Sequence, residues 1–250
     1  LEVIFWSSVI LIFYTYLGYP SALLLISRFR RKRPHTAEIT PLVSFIITVH
    51  NAAQQIGPKL DNTLQLIYPR DQLEVIVASD CSSDDTDAIV QSHPSRLVRL
   101  IRANQRRGKE YAQKLAIDAA HGTILVFSDV TTILQRDSLS NIVRNFHDTT
   151  IGCVSGVDGV VHPTGEVRGE GAYLKYEMLL RSLETEVNSI VGLSGAFFAA
   201  RRVVCNHWAT DLQSDFNTVL NAVKMGMRGI SDQHSVAHYP NVLAEKNEFD

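Results

Sequence analysis

Three aspartates stand at the ends of apolar segments, where a carboxylate can meet a ligand: Asp80, Asp129 and Asp215. Asp80 opens a polar cluster with Ser82, Ser83, Asp84 and Thr86. An acid at such a strand end can accept a hydrogen bond from a nucleobase N–H or a ribose hydroxyl. Ser and Asp so grouped serve equally well as a helix N-cap. Asp129 closes the run 124–128, and Thr131 follows two positions on. That pair can hold Mg²⁺ or Mn²⁺, because these ions need only one or two protein carboxylates once substrate phosphates and water complete the shell. A capping role does not suit Asp129, since the next helix starts near Arg136 and has Asp137 and Ser138 for that purpose. Arg106, Arg107, Gly108 and Lys109 form a basic turn ahead of a helix, which reads as a diphosphate-binding edge or as a solvated turn. The glycine-lysine frame of a P-loop is absent. Asp215, preceded by Ser214, falls in the first turn of a helix, where it is either a dipole partner or a positioned base.

The elements that place these residues alternate. The mostly apolar, β-branched run 42–49 reads as a buried strand. Ile56, Leu60, Leu64 and Ile67 mark a helix that Tyr68 and Pro69 close. Strands over 73–79, 97–101 and 123–127 alternate with helices over about 84–90 and 109–120, the last showing Ala112, Leu115, Ala116 and Ala119 on one side and ending at Gly122. This order predicts an α/β fold, a mostly parallel sheet with helices on both faces. Ligands in such sheets bind at the strand carboxyl ends, so His50, Asn51, Asp80, Asn104 and Asp129 are the residues to watch. Further on, 173–183 reads as a helix whose Tyr176, Glu177 and Arg181 can border an acceptor groove. The glycine-interrupted run 191–200 reads as a strand or loop passing close to substrate. Phe216, Val219, Leu220 and Val223 form the apolar face of the helix that begins at Asp215.

Upstream, residues 3–27 carry no charge and are long enough to cross a bilayer as a helix, with Gly18 and Pro20 expected to bend it. Five cations follow within 28–33 and mark the cytoplasmic side, which places the catalytic portion in the cytoplasm at the inner (plasma) membrane. A cleaved signal peptide fits poorly, because its charges would precede the apolar run. The net charge of −2 gives no support to a nucleic-acid partner. Three widely spaced cysteines, with no paired spacing, argue for a reducing compartment without a disulfide frame or zinc site. Leu1 and the charged stretch at Asp250 read as the limits of a portion of a longer protein. The expected organisation is a membrane helix and basic flank over 1–33, a linker over 34–41 and a catalytic domain over 42–250. That domain divides into a nucleotide-binding half, 42–132, and an acceptor and catalytic half, 133–250.

Taken in order, these segments resemble the inverting family 2 glycosyltransferases of GT-A fold, particularly the membrane-embedded bacterial enzymes of surface polysaccharide synthesis. Residues 44–51 resemble the opening strand and its His-Asn turn, and residues 75–86 resemble the uridine-binding D-G-S-x-D-x-T segment. Asn104, Gly108, Lys109 and Ala112 look like the stretch near the diphosphate, and residues 126–131 like the D-x-D metal motif. Ser194, Gly195 and the residues through Arg201 and Arg202 look like the loop beside the sugar. Ser214 and Asp215, with Gly226 and Arg228 beyond, look like the acidic pair that carries the base. The sequence departs from the pattern at Cys81 (usually Gly), Thr131 (commonly an acid) and Ser214 (the first acid of the base pair).

The resemblance implies Asp215 as catalytic base and Asn51, Asp80, Lys109 and Asp129 as the nucleotide-binding set. It also implies Mg²⁺ or Mn²⁺ on Asp129 and Thr131, and Gly195, Ser194 and Glu177 near sugar and acceptor. The partners it implies are a nucleotide-sugar donor (UDP-linked by the motif), a saccharide or lipid-linked acceptor, and the membrane. A sugar nucleotidyltransferase would need a glycine-rich basic loop after the first strand, where this chain has His50, Asn51, Ala52 and Ala53. The substituted acids leave a second reading, a catalytically impaired membrane scaffold of the same fold.

Overall fold

In the computed structural model, which describes residues 1–161 and 172–240, the apolar runs become neighbouring strands of one eight-stranded sheet. The portions of the expected catalytic domain at 162–171 and 241–250 lie outside the described residues. The chain begins with one long helical stretch: α1 (Glu2–Phe13), a widened π turn (Tyr14–Gly18) and α2 (Tyr19–Phe29). The π turn falls where Gly18 and Pro20 were expected to bend the helix. Then come β1 (Val43–Val49), α3 (Ala53–Leu64), β2 (Leu73–Ser79), α4 (Thr86–Gln91), β3 (Val98–Arg102), α5 (Lys109–Ala119) and β4 (Ile124–Asp129). The second half holds the short β5 (Ile133–Leu134), α6 (Ser138–Arg144), β6 (Ile151–Val161), α7 (Ala172–Val187), β7 (Phe197–Arg201), α8 (Ser214–Lys224) and β8 (Arg228–Pro240).

The strand order is β3-β2-β1-β4-β7-β6-β8-β5. The four strands of the first half are parallel to one another, and β7 joins β4 antiparallel, so the sheet is mixed beyond that point. Side chains alternate between two cores, as the two-residue period of a strand requires. Phe45, Ile47, Val126 and Phe197 face α3, α4 and α6. Ile46, Leu125, Phe127 and Phe198 face α5 and α8, where Phe127 stacks between Phe198 and Trp208. Helices therefore cover both faces, which explains why the central strands read as nearly unbroken apolar runs.

Several helical faces differ from the sequence reading. Helix α3 stops at Leu64, and Ile67 lies beyond it, exposed. Helix α5 buries Ala112, Gln113, Ala116 and Ile117, a face rotated away from Leu115 and Ala119. Gly122 does not cap that helix. A Cβ there would meet the Ser44 backbone nitrogen at 2.4 Å, so the glycine allows close packing against β1. Helix α8 inverts the expectation most completely: Asn217, Thr218 and Asn221 are buried beside Val219 and Ala222, while Phe216, Leu220 and Val223 are exposed.

The stretch Glu2–Phe29 is long and apolar enough to cross a membrane, by length and composition. Its first half buries no side chain, whereas α2 buries Pro20, Leu23 and Ser27. Helix α7 is its partner. The Tyr19 hydroxyl donates to Glu184 at 2.7 Å, the Tyr176 hydroxyl donates to the Tyr16 carbonyl at 3.1 Å, and the Lys32 N–H donates to the Glu186 carbonyl at 2.7 Å. The Arg228 guanidinium, nearly buried, locks the same corner by donating to the carbonyls of Lys32, Thr185 and Asn188.

Candidate active site

The loops after β1 and β2 are tied to each other before any ligand is considered. His50 Nδ1 lies 2.8 Å from the Asp80 carbonyl oxygen, and the Asn51 carboxamide oxygen accepts the Ser83 N–H at 2.8 Å. Asp84 takes the capping role left open for the Ser/Asp cluster, accepting N–H groups from Ala53 and Thr86 at the starts of α3 and α4. Cys81 sits in the left-handed region at φ 56°, which accounts for the glycine common in this motif. With the capping done by Asp84, the Asp80 carboxylate turns the other way. It is 4% exposed and accepts the backbone N–H groups of Arg107 at 2.8 Å and Gly108 at 2.9 Å, fixing the turn ahead of α5. Thr48, Val49, His50, Asp80, Arg106, Gly108 and Lys109 line a cavity of about 250 Å³ there. Asn51 is not among its walls, because its side chain oxygen is spent on Ser83. Asn104 is exposed outside it.

Beside this cavity the other candidates converge on one glycine. The Lys109 ammonium donates to Asp129 Oδ1 at 2.6 Å and to the Gly195 carbonyl at 3.2 Å. A Cβ placed on Gly195 would stand 3.2 Å from Asp215 Oδ2, so the Asp215 carboxylate lies directly against that residue. The Asp129 N–H donates to the Ala196 carbonyl at 3.0 Å, which ties the loop to the end of β4. Ser194 is buried, and its N–H donates to Ser155 Oγ at 2.7 Å. Arg181 also donates to that hydroxyl and pairs with Glu177 at 2.8 Å. Glu177 is thus linked to the Ser194–Gly195 loop through Arg181 and Ser155. Asp215 Oδ1 accepts the Phe216 N–H at 2.7 Å, at the positive end of the α8 dipole.

The donor set at Asp129 suits a hard divalent cation that relies on substrate for most of its ligands. Asp129 Oδ2 accepts no hydrogen bond from the described residues, Thr131 is exposed in the adjoining turn, and no group of three or more His, Cys, Asp or Glu is gathered among them. One carboxylate, a hydroxyl and a diphosphate make a workable Mg²⁺ or Mn²⁺ shell.

Two expectations change, and one residue was not expected. Tyr176 packs on the N-terminal helix, its ring beside Tyr16, and is not among the residues lining the Asp80 cavity. Arg201 and Arg202 serve backbone carbonyls: Arg201 those of Phe146, Asp148 and Ile151, and Arg202 that of Ala120. Lys59 was missed. It is 3% exposed and lies behind Asp129, although Ile56, Lys59, Leu60 and Thr63 already follow the spacing of one buried helical face. Two larger cavities, about 660 and 780 Å³, have none of Asp80, Lys109, Asp129 or Asp215 in their walls. One is walled by Thr123, Ile124 and Arg201 at the opposite end of the parallel strands, the other by Arg31, Lys32, Val223 and Arg228.

The Glycosyl transferase family 2 profile matches residues 44–207. The succinoglycan biosynthesis protein ExoO of Rhizobium meliloti (strain 1021) is 30% identical over 44% of this chain and 31% of its own length. The beta-monoglucosyldiacylglycerol synthase of Trichormus variabilis is 24% identical over 86% of this chain and 48% of its own. The chain thus spans less than half the length of these two relatives. Among solved structures, the mannosyltransferase PcManGT from Pyrobaculum calidifontis, in complex with GDP-Man and Mn²⁺, superposes with a TM-score of 0.76 at 28% identity. That alignment covers 92% of this chain and 66% of the other.

Proposed function

The chain belongs to Glycosyl transferase family 2, and from that premise we propose an inverting transfer from a nucleoside-diphosphate sugar, UDP-linked by its motif, to a saccharide or lipid-linked acceptor. The observation that supports this most directly is the placement of Lys109 and Asp215 against one residue, Gly195. Lys109 is a cation for a departing diphosphate, and Asp215 is a base for an incoming hydroxyl.

In this mechanism the acceptor oxygen attacks the anomeric carbon as its proton passes to the Asp215 carboxylate. The bond from that carbon to the diphosphate oxygen breaks, and its electron pair leaves with the nucleoside diphosphate. Lys109, already aimed at this position, stabilises the developing charge. A Mg²⁺ or Mn²⁺ ion held by Asp129 and Thr131 would add further neutralisation of the diphosphate. Asp80 orients the nucleoside indirectly, by accepting the Arg107 and Gly108 N–H groups and so fixing the turn whose Arg106 and Gly108 line the cavity. A single displacement inverts the anomeric configuration. The Glu2–Phe29 stretch anchors the enzyme in the inner membrane with its strand ends in the cytoplasm, where such donors are found.

Membranes carrying the full protein, supplied with Mn²⁺ and a panel of UDP- and GDP-sugars, are expected to consume one donor and release its nucleoside diphosphate. The product's anomeric configuration, read by NMR, is expected to be opposite to the donor's. If no sugar in the panel is consumed, the scaffold reading replaces this one.

Gly195→Ala probes the contact with the base. Its Cβ would press on Asp215 Oδ2 at 3.2 Å, displacing the carboxylate by a few tenths of an ångström. Turnover is expected to fall about tenfold, since small misplacements of reacting groups are costly. Donor KM and the thermal midpoint are expected to stay near wild type; steady-state kinetics and a melting curve check both.

A further inference from the structure

Lys59 projects from α3 into a space with almost no solvent. Its ammonium donates to Ser128 Oγ at 2.7 Å and to the Thr132 carbonyl at 2.6 Å, and it lies 5.8 Å from the centre of the Phe45 ring. Those two acceptors are the residues that bracket Asp129 and Thr131. The same helix grips the chain further along: Asn62 donates to the Leu134 carbonyl at 3.0 Å and accepts the Leu134 N–H at 2.9 Å. Lys59 and Asn62 are three residues apart, so they share one face of α3 and together hold the segment that follows β4.

We propose that Lys59 is a positioning residue for the diphosphate end of the site, clamping both ends of the turn that presents Asp129 and Thr131. A lysine buried this deeply is an expensive way to hold a turn. Burial lowers its pKa to about 7, partly offset by the nearby Asp129 charge. The clamp does not depend on that titration, because a neutral amine keeps two N–H donors for two acceptors. Thr131 is exposed, with no hydrogen bond to its hydroxyl among the described residues, and it stands where the resembled motif commonly has an acid. A turn thinly supplied with acids gains more from being held rigidly in place.

The inference rests on the proposed function, so its test measures binding without turnover. Mn²⁺-dependent binding of UDP and of GDP to the full chain is measured by calorimetry, with a parallel arm in EDTA. For Lys59→Met, binding of the tighter nucleotide with Mn²⁺ is expected to weaken about tenfold, while binding in EDTA stays within about twofold. A purely structural role would move both arms together, and that result overturns the inference, as do two unchanged arms. Ser128→Ala removes one acceptor and leaves the lysine, which keeps the test alive if Lys59→Met fails to fold. It is expected to weaken the Mn²⁺ arm about threefold, and an unchanged arm overturns the clamp. Wild-type protein that binds neither nucleotide in either arm defeats the proposed function itself and this inference with it.

Discussion

Asp215→Asn is expected to lower turnover about 10²- to 10⁴-fold, the usual worth of a positioned general base. The substitution keeps the shape of the side chain and its contact with the Phe216 N–H. It also leaves Lys109, Asp129 and the Asp80 cavity untouched. Donor KM is therefore expected to stay within about twofold, so the loss lies in kcat, as for an interaction made only in the transition state. Single-turnover measurements with donor and acceptor saturating would show it directly. Turnover within threefold of wild type would remove Asp215 from the mechanism and turn attention to another group near the acceptor.

Asp129→Asn is expected to act on both binding and chemistry. Its carboxylate is the partner of the Lys109 ammonium at 2.6 Å and the candidate anchor for a divalent ion. With the charge removed, Lys109 loses its counter-ion and Lys59, deeply buried behind, loses the anion that offsets its burial. The expected loss in kcat/KM is about 10³-fold, on the order of 4 kcal/mol, with raised Mn²⁺ unable to restore it. Unlike the Asp215 variant, this one is expected to lose metal-dependent nucleotide binding as well. Activity within tenfold of wild type, saturable by Mn²⁺, would show that the ion is held elsewhere.

The first half of the sheet was legible because buried parallel strands leave an unmistakable trace: near-continuous runs such as 43–49, each followed by a polar residue. The positions of Asp80, Asp129 and Asp215 followed from that trace and from motif order. What periodicity cannot supply is the identity of the neighbour. Phe216, Leu220 and Val223 form a regular stripe, yet α8 turns its asparagines inward, where Asn221 donates to the His207 carbonyl at 3.0 Å. Tyr176 is equally readable as a groove residue, yet it lies against Tyr16 in the π turn of the N-terminal helix. Asp80 presented two local roles, and only the structure shows that Asp84 takes the capping one. Lys59 illustrates the opposite failure: its place on a buried face was visible in the spacing, but the expectation that lysines are solvated concealed it.

Tyr19, Tyr176, Lys32 and Arg228 bind the N-terminal helix to the body of the enzyme at several points, so helix and sheet cannot swivel independently. The 28 residues of Glu2–Phe29 rise about 42 Å, against a hydrocarbon core of about 30 Å. A helix longer than its bilayer tilts, and the tilt eases as the bilayer thickens. In the proposed membrane-anchored arrangement, attachment through α7 would pass that tilt on to the strand ends and set how far Asp215 stands from the headgroups. Under that proposal lipid chain length would act on the reaction through the attitude of the whole enzyme, with no change at any residue of the site.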